Sequence, residues 1–186
     1  MAVNDKNVIV FMADGMEMCE CLLTVDILRR AGVKVTTASV TGNCEVLSSH
    51  QVRITADTLA EDADYDSADM IVLPGGRIGT ENLLANETVR KECVDFAREK
   101  YAAAICAAPS VFAELGLLEG VPATCHPDFE GKMRGALLTH EPVTVSGKII
   151  TGRGLGATMD FALCLAAILT NKETADRIAA SICYAR

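Results

Sequence analysis

Short apolar runs that alternate with longer amphipathic segments constrain the fold of this chain more than any other feature. Each run is rich in Val, Ile or Ala and has the length of a buried strand. The runs fall at residues 7–13, 33–40, 68–76 and 101–105. Because strands that alternate with helices pair in parallel through right-handed crossovers, the sequence predicts an α/β fold with a mostly parallel central sheet.

The segments between these runs carry helix-boundary signals. Gly32 is expected to end the helix that follows the first run, and Pro109 to begin a helix after the fourth. Residues 80–100 are predicted to be helical. The C-terminal part of the chain is also predicted to be helical, with Thr158 as a possible N-cap and Asn171 as a break.

Two segments interrupt the alternation of strands and helices. Residues 44–57 alternate in strand fashion around Ser48–Ser49, and residues 143–152 predict a hairpin that turns at Ser146–Gly147. We expect these segments to form antiparallel pairs beside the parallel strands.

Length and composition favour one domain with a small-residue core. The 186 residues predict a single domain, 1–186, because single domains commonly run to about 100–200 residues. Half of the side chains are hydrophobic but only 4% are aromatic. We therefore expect a core of Ala, Val, Ile and Leu, as in helices packed on a buried sheet.

Charge and hydropathy exclude several partners. The formal net charge is −8, and no basic run is longer than Arg29–Arg30, so we expect no nucleic-acid partner. The apolar run near the N-terminus follows a polar start and is too short for a signal peptide or a bilayer span. We therefore predict a cytoplasmic protein without a membrane partner.

Eight cysteines are expected to be reduced thiols in that compartment. No CxxC motif is present, and Cys19 and Cys21 on a helix would point about 200° apart. We predict no metal site.

Residues that carry chemistry follow the predicted strands. In an open parallel sheet, ligands bind beyond the carboxyl ends of the strands, where the strand order reverses. One edge of the sheet should therefore gather a carboxylate, a glycine pair, a thiol, an imidazole and a guanidinium. The carboxylate belongs to Asp14, Glu17 or Glu20, and the other groups belong to Gly75–Gly76, Cys106, His126 and Arg153.

Cys106 lies between a strand and a helix start in "AAICAAPS". Helix amides that point at its sulfur would stabilise the thiolate, so we expect its pKa to fall below that of a free thiol. The small residues Ala107 and Ala108 would permit a tight turn there. The alternative is an inert buried cysteine, a common place for this residue type.

Two titratable residues are candidate partners of Cys106. A buried, protonated Glu20 could donate a hydrogen bond to the sulfur. The alternative is that Glu20 is an ordinary solvated glutamate on the helix surface. His126 could serve as general base or proton shuttle, or could simply be a histidine satisfied in a loop. The amides of Gly75–Gly76 in "PGGRIG" could bind an oxyanion.

With these residues in hand, the chain resembles the ThiJ/PfpI superfamily, on the branch of the parkinsonism-associated protein deglycase. The segments that carry the resemblance stand in family order: "VIVFMADGMEMCE", "VDILRRAGVKVTTASV", "DMIVLPGGRIGTENL", "AAICAAPS", "CHP" and "GRGLGATMDFAL". The resemblance implies a flavodoxin-like, doubly wound sandwich with helices on both faces, usually homodimeric. It also implies a reactive Cys106 on a strained nucleophile elbow, with a protonated Glu20, His126 nearby, and the amides of Gly76 and Ala107 as an oxyanion-binding pair.

Three departures from the family pattern affect the site. His50 stands where well-known members carry an arginine, which puts an anion preference of the pocket in doubt. Leu155 stands where proline is frequent, and Ala107 follows the cysteine where the protease-like branch has histidine. A peptidase is therefore disfavoured.

The leading hypothesis is a stress-protective, glyoxalase- or deglycase-type enzyme that acts on reactive dicarbonyls or their adducts. It would use Cys106, Glu20 and His126 as catalytic residues and would need no cofactor. Its partner would be a small aldehyde or dicarbonyl substrate. A redox-sensing or chaperone-like protein with an oxidisable Cys106, or a small amidase or other hydrolase, remains an alternative.

Overall fold

The computed structural model describes residues 5–185, so the first four residues of the polar N-terminal start lie outside the described residues. Within that range the chain forms six α-helices: α1 (Met18–Arg30), α2 (Arg77–Ala85), α3 (Glu87–Glu99), α4 (Pro109–Glu114), α5 (Thr158–Leu169) and α6 (Lys172–Ser181). The strands of the same range are β1 (Asn7–Met12), β2 (Lys34–Ser39), β3 (Glu45–Leu47), β4 (Arg53–Thr55), β5 (Thr58–Leu59), β6 (Met70–Leu73), β7 (Tyr101–Ile105), β8 (Pro122–Ala123), β9 (Leu137–Leu138), β10 (Val143–Ser146) and β11 (Ile149–Gly152).

Seven strands form the central sheet, in the order β10-β11-β7-β6-β1-β2-β5. All neighbours pair in parallel except β10 and β11. The chain runs from β1 through β2 to one edge and then returns to β6 on the other side of β1. The strand order therefore reverses between β1 and β6. This architecture confirms the predicted α/β fold with a mostly parallel sheet.

Successive residues of β1 supply two separate cores, because strand side chains alternate between the faces of a sheet. Val8, Val10 and Met12 pack in the core that contains α1, α5 and α6. Ile9 and Phe11 pack in the core that contains α2, α3 and α4. Helices thus cover both faces of the sheet, as predicted.

Both predicted antiparallel segments are confirmed. β3 pairs with β4 as a separate two-stranded ribbon, and β10 pairs with β11 at the edge of the main sheet. The second hairpin turns at Gly147, whose φ is +60°. This hairpin brings the end of β11 alongside the end of β7.

The helix boundaries correct the sequence prediction at two places. The segment predicted as one helix over 80–100 is two helices that meet at Asn86, whose side chain accepts a hydrogen bond from the Val89 amide and caps α3. Thr158 is the first residue of α5, and Ala157 is its N-cap. Asn171 is confirmed as a break, because its side chain caps α6. Among the described helices, none has the length and apolar character to cross a membrane.

Candidate active site at the strand ends

A cavity of about 620 Å³ lies beyond the carboxyl ends of β1, β6, β7 and β11, beside the point where the strand order reverses. Its lining includes Glu20, Gly76, Cys106, His126 and Arg153. The structure therefore brings together the side chains that the strand-end argument placed on one edge.

A second cavity of about 690 Å³ lies between residues 63–66 and α3. Its two lysines are already engaged: Lys91 with the carboxylates of Glu92 and Asp95, and Lys100 with backbone carbonyls. This cavity is slightly larger, but it has no thiol or imidazole in its lining. We therefore take the strand-end cavity as the candidate site.

Cys106 forms a sharp turn between β7 and α4. Its φ is +66°, a left-handed conformation that costs free energy for a residue with a Cβ. Neighbouring strands and loops hold this turn, because the Cys106 N–H donates to the Gly152 carbonyl at 2.9 Å and its carbonyl accepts from the His126 N–H at 2.8 Å. The buried methyl groups of Ala107 and Ala108 leave room for the bend.

Two backbone amides reach the sulfur of Cys106. The N–H groups of Gly76 and Ala107 donate to it, and each donation lowers the pKa of the thiol. One amide comes from the loop after β6 and the other from the turn after β7.

Glu20 lies in the first turn of α1, where the side chain of Glu17 caps the helix. Its carboxyl is buried, with 1% of the residue exposed. Oε2 accepts a hydrogen bond from the Gly75 N–H at 2.9 Å, whereas Oε1 has no hydrogen-bond partner within residues 5–185. Burial raises the pKa of Glu20 to about 7, so a large fraction of this carboxyl is protonated near neutral pH.

Cys106 and Glu20 titrate as a pair. Burial raises the pKa of the Cys106 thiol, and the neighbouring Glu20 carboxylate raises it further. This corrects the expectation that the thiol pKa would fall below that of a free thiol: the two amides lower it, but desolvation and the carboxylate outweigh them. Near neutral pH the pair therefore loses its first proton mainly from Glu20, because the pKa of Glu20 is about 7 and the pKa of the thiol is held well above its usual range.

Only glycine fits at positions 75 and 76, because other atoms lie where a Cβ would be. A Cβ at Gly75 would lie 2.6 Å from Oε2 of Glu20 and 2.7 Å from the Cβ of Cys106. A Cβ at Gly76, where φ is +89°, would lie 2.4 Å from the carbonyl oxygen of Gly15. The Gly75 N–H donates to Glu20, so of the three predicted oxyanion donors it is the one already engaged, and Gly76 and Ala107 remain candidates.

His126 faces the same cavity. The carbon Cδ2 of His126 and the sulfur of Cys106 lie 3.5 Å and 3.9 Å from the point that a Cβ on Gly154 would occupy. The Nδ1 atom of His126 accepts a hydrogen bond from the Asp128 N–H at 3.2 Å. A neutral ring therefore carries its proton on Nε2 and presents a donor. This geometry suits a proton donor better than the general base that the sequence suggested.

Sequence reasoning missed one feature of the cavity wall. Arg153 forms a cluster with Glu130 and His140, two residues that carried no signal in their own segments. Glu17, which the sequence placed at this edge together with Glu20, lines the cavity as well. His50 lies outside the lining, and its imidazole is mostly exposed, 3.7 Å from the Glu17 carboxylate.

The remaining cysteines lack comparable surroundings. Cys21, Cys93 and Cys125 are fully buried, and burial raises the pKa of each thiol. Cys19 and Cys183 are exposed on the surface. Cys106 alone of the eight lines the strand-end cavity.

Together the fold and the site define an α/β protein with a strand-end cysteine, half-buried beside a carboxyl that is protonated near neutral pH. Residues 6–168 match the DJ-1/PfpI family. The chain belongs to that family.

Curated relatives cover nearly the whole chain. The chain is 39% identical to Protein DJ-1 homolog B of Arabidopsis thaliana over 94% of its own length, but it spans only 41% of that protein. It is 34% identical to the Parkinson disease protein 7 homolog of Danio rerio, over 95% of this chain and 96% of the relative. A Caenorhabditis elegans relative, 26% identical over the full length of both chains, is named glutathione-independent glyoxalase DJR-1.2.

Solved structures repeat the fold. Toxoplasma gondii DJ-1, in an oxidized form, superposes with a TM-score of 0.93 at 35% identity and covers 97% of this chain and 100% of its own. Drosophila melanogaster DJ-1beta superposes with a TM-score of 0.92 at 33% identity and covers 97% and 99%.

Proposed function

We propose that this protein is a cysteine-dependent enzyme that converts small 2-oxoaldehydes to 2-hydroxy acids. One observation carries the proposal: the Cys106 sulfur opens into a cavity, receives two amides, and lies against a carboxyl whose pKa is about 7. A general acid–base works best when its pKa is near the working pH. The glyoxalase name of the Caenorhabditis elegans relative supports the same chemistry.

The reaction begins with attack of the Cys106 sulfur on the aldehyde carbon. The ionised Glu20 carboxylate takes the thiol proton as the C–S bond forms and the carbonyl π electrons move to oxygen, which the amides of Gly76 and Ala107 stabilise. Glu20 passes this proton to that oxygen, which gives a hemithioacetal and ionises Glu20 again. Glu20 then takes the proton of the former aldehyde carbon and returns a proton to the adjacent carbon. Meanwhile the Nε2–H of His126 protonates the ketone oxygen, and the hemithioacetal hydroxyl returns a proton to Nε2 as the thioester carbonyl forms.

These transfers leave a thioester of the 2-hydroxy acid on Cys106. Water cleaves the C–S bond, releases the acid and restores the thiol. The aldehyde carbon is oxidised by two electrons and the ketone carbon is reduced by two, so the balance closes with water as the only co-reactant. In a glycated thiol or amine the same carbon carries the adduct. The Cys106 sulfur would form its C–S bond there as the C–S or C–N bond of the adduct breaks, and the released thiol or amine would take the proton of the Cys106 thiol, which extends the proposal to deglycase activity.

Purified protein should convert methylglyoxal to lactate without added glutathione. In D₂O the lactate should carry deuterium at C2, because the transferred proton passes through the exchangeable carboxyl of Glu20. Mass spectrometry of the product measures both results. Lactate formation no faster than in a protein-free sample would contradict the proposed activity, and retention of hydrogen at C2 would contradict the route through Glu20.

A redox role of the same thiol is a second candidate, because Glu20 offers a carboxyl that can donate a hydrogen bond to an oxidised sulfur. One peroxide would transfer an oxygen to sulfur to give the sulfenate, and a second peroxide would give the sulfinate, each with release of water. After mild peroxide treatment, mass spectrometry should find oxidation concentrated at Cys106. The exposed Cys19 and Cys183 are internal controls. Equal oxidation of all three residues would contradict a dedicated sensor.

A further inference from the structure

The charged groups around the Cys106 sulfur are mostly acidic. Three carboxyl groups and one guanidinium line the cavity: Glu17, Glu20, Asp160 and Arg153. Of the carboxyl groups, Glu20 is partly protonated near neutral pH. Any ligand that approaches the sulfur therefore enters a negative field, unless the single guanidinium compensates it.

Arg153 is already compensated by its own neighbours. Its Nη2 atom lies 3.4 Å from Oε1 of Glu130, and Glu130 also lies 3.0 Å from the ring of His140. The side chains of Arg153 and Glu130 are 30% and 29% exposed, so this ion pair is partly shielded from solvent. The guanidinium charge is thus offset before a ligand arrives.

Glu17, in contrast, is held with its carboxylate toward the cavity. Its side chain is only 15% exposed. Oε1 accepts from the Cys19 N–H at 3.3 Å, and Oε2 accepts from the Ser49 hydroxyl at 3.2 Å. The Glu17 N–H donates to the Gly75 carbonyl at 2.9 Å, which fixes this residue to the loop that holds Glu20.

The field of Glu17 reaches the reacting groups. Its charge contributes to the raised pKa of Glu20, so a charge placed near the Cys106–Glu20 pair interacts with Glu17 as well. The nearest basic candidate, His50, is an exposed imidazole 3.7 Å away. Two hydrogen bonds from neutral donors orient the carboxylate without cancelling its charge.

We propose that Glu17 is a specificity-determining residue that admits uncharged aldehydes to Cys106, disfavours aldehydes that carry a carboxylate, and speeds departure of the anionic product. This inference rests on the proposed function, in which an uncharged 2-oxoaldehyde becomes a 2-hydroxycarboxylate. Repulsion from Glu17 is then small for the substrate and appears when the product's charge forms.

Two alkylating reagents of similar size test the charge selection directly. Iodoacetamide is neutral and iodoacetate is anionic, and each forms a C–S bond with the thiolate and releases iodide. The ratio used is the alkylation rate with iodoacetamide divided by the rate with iodoacetate. Its value at Cys106, relative to its value at the exposed Cys183, measures how strongly the site repels an anion. Because both reagents react with the same thiolate, a change in the pKa of Cys106 cancels from this ratio.

Glu17→Gln should reduce the ratio by about three- to tenfold at low salt, the range expected for one charge a few ångströms away in a partly solvated site. The amide oxygen can still accept from the Cys19 N–H, and the amide NH2 can donate to the Ser49 hydroxyl, which can accept as well as donate. Glu87→Gln, on a carboxylate whose side chain is 92% exposed on α3, is the matched control and should leave the ratio unchanged. Raising the salt to about 1 M should reduce the ratio in the wild-type protein.

A wild-type ratio at Cys106 equal to that at Cys183, or a ratio that neither Glu17→Gln nor salt alters, would overturn the proposal even if the protein makes lactate. A shifted ratio in a protein that makes no lactate would support the charge selection and refute the proposed function. For the active protein, Glu17→Gln should also lower the inhibition constant of lactate severalfold, with little change in the KM for methylglyoxal. An unchanged inhibition constant would overturn the role in product release.

Discussion

Cys106→Ser is expected to reduce the conversion of methylglyoxal to lactate by at least about a hundredfold, because a hydroxyl is a far weaker nucleophile than a thiol that shares its proton with Glu20. Serine has nearly the volume of cysteine and carries the same conformational cost at φ +66°. The fold should therefore be retained. Steady-state assays of lactate formation at pH 7 measure the loss.

The matched control for this experiment is Cys19→Ser. It makes the same chemical change at an exposed cysteine that does not line the cavity, and it should retain the wild-type rate. The midpoint temperature of thermal unfolding of each variant should lie within a few degrees of that of the wild type. Equal rates for the wild type and Cys106→Ser would show that Cys106 is not the nucleophile.

Glu20→Gln should stabilise the protein increasingly as the pH rises. Burial raises the pKa of Glu20 from 4.5 to about 7, so the folded state binds a proton more tightly than the unfolded state does. Stability that depends on this proton is fully present below about pH 4.5 and falls as the pH rises to about 7. The shift corresponds to about 3 kcal/mol. A neutral glutamine is free of this penalty and can still accept from Gly75.

Urea unfolding at pH 4 and pH 8 measures this effect. The difference in unfolding free energy between Glu20→Gln and the wild type should grow by about 3 kcal/mol over that interval. Glu87→Gln changes an exposed carboxylate in the same way and should show no such growth. A pH-independent difference for Glu20→Gln would mean that the carboxyl of the folded protein titrates at its ordinary pKa. Glu20→Gln should at the same time lose lactate formation, since an amide cannot carry the proton.

The positions of the main strands and of both hairpins could be predicted from the sequence, because their signals are local. A short continuous apolar run, as in the buried strand β1, and the glycine of the turn at Gly147 are properties of a few neighbouring residues. The break at Asn86 was missed because the residues on both sides have helical periodicity. Its capping bond to Val89 depends on how the chain bends there.

The sequence could predict which strand ends carry the residues of the candidate site. The rule that parallel strands present ligands at their carboxyl ends selected Cys106, Glu20 and His126 from the chain. Which of eight cysteines matters came from the resemblance to a family, since Cys125 also follows a short apolar run and a free cysteine is commonly an inert buried residue.

The roles of individual atoms came only from the fold. The Gly75 amide is engaged by Glu20 from a helix 55 residues earlier in the chain, which no local pattern indicates. His126 presents a donor because its Nδ1 accepts from Asp128. The pKa of Cys106 is raised by burial and a carboxylate, whereas its local position at a helix start suggested the opposite.

The sequence by itself therefore determined the α/β class, the strands and the edge of the sheet where chemistry gathers, because hydrophobic periodicity and turn residues act over a few positions. The tertiary structure decided the pKa values of Cys106 and Glu20, the amides that donate to the sulfur and the position of the Glu17 carboxylate in the cavity wall. These depend on desolvation and on charges brought together from distant segments. Free energies of that kind arise only when the chain is folded.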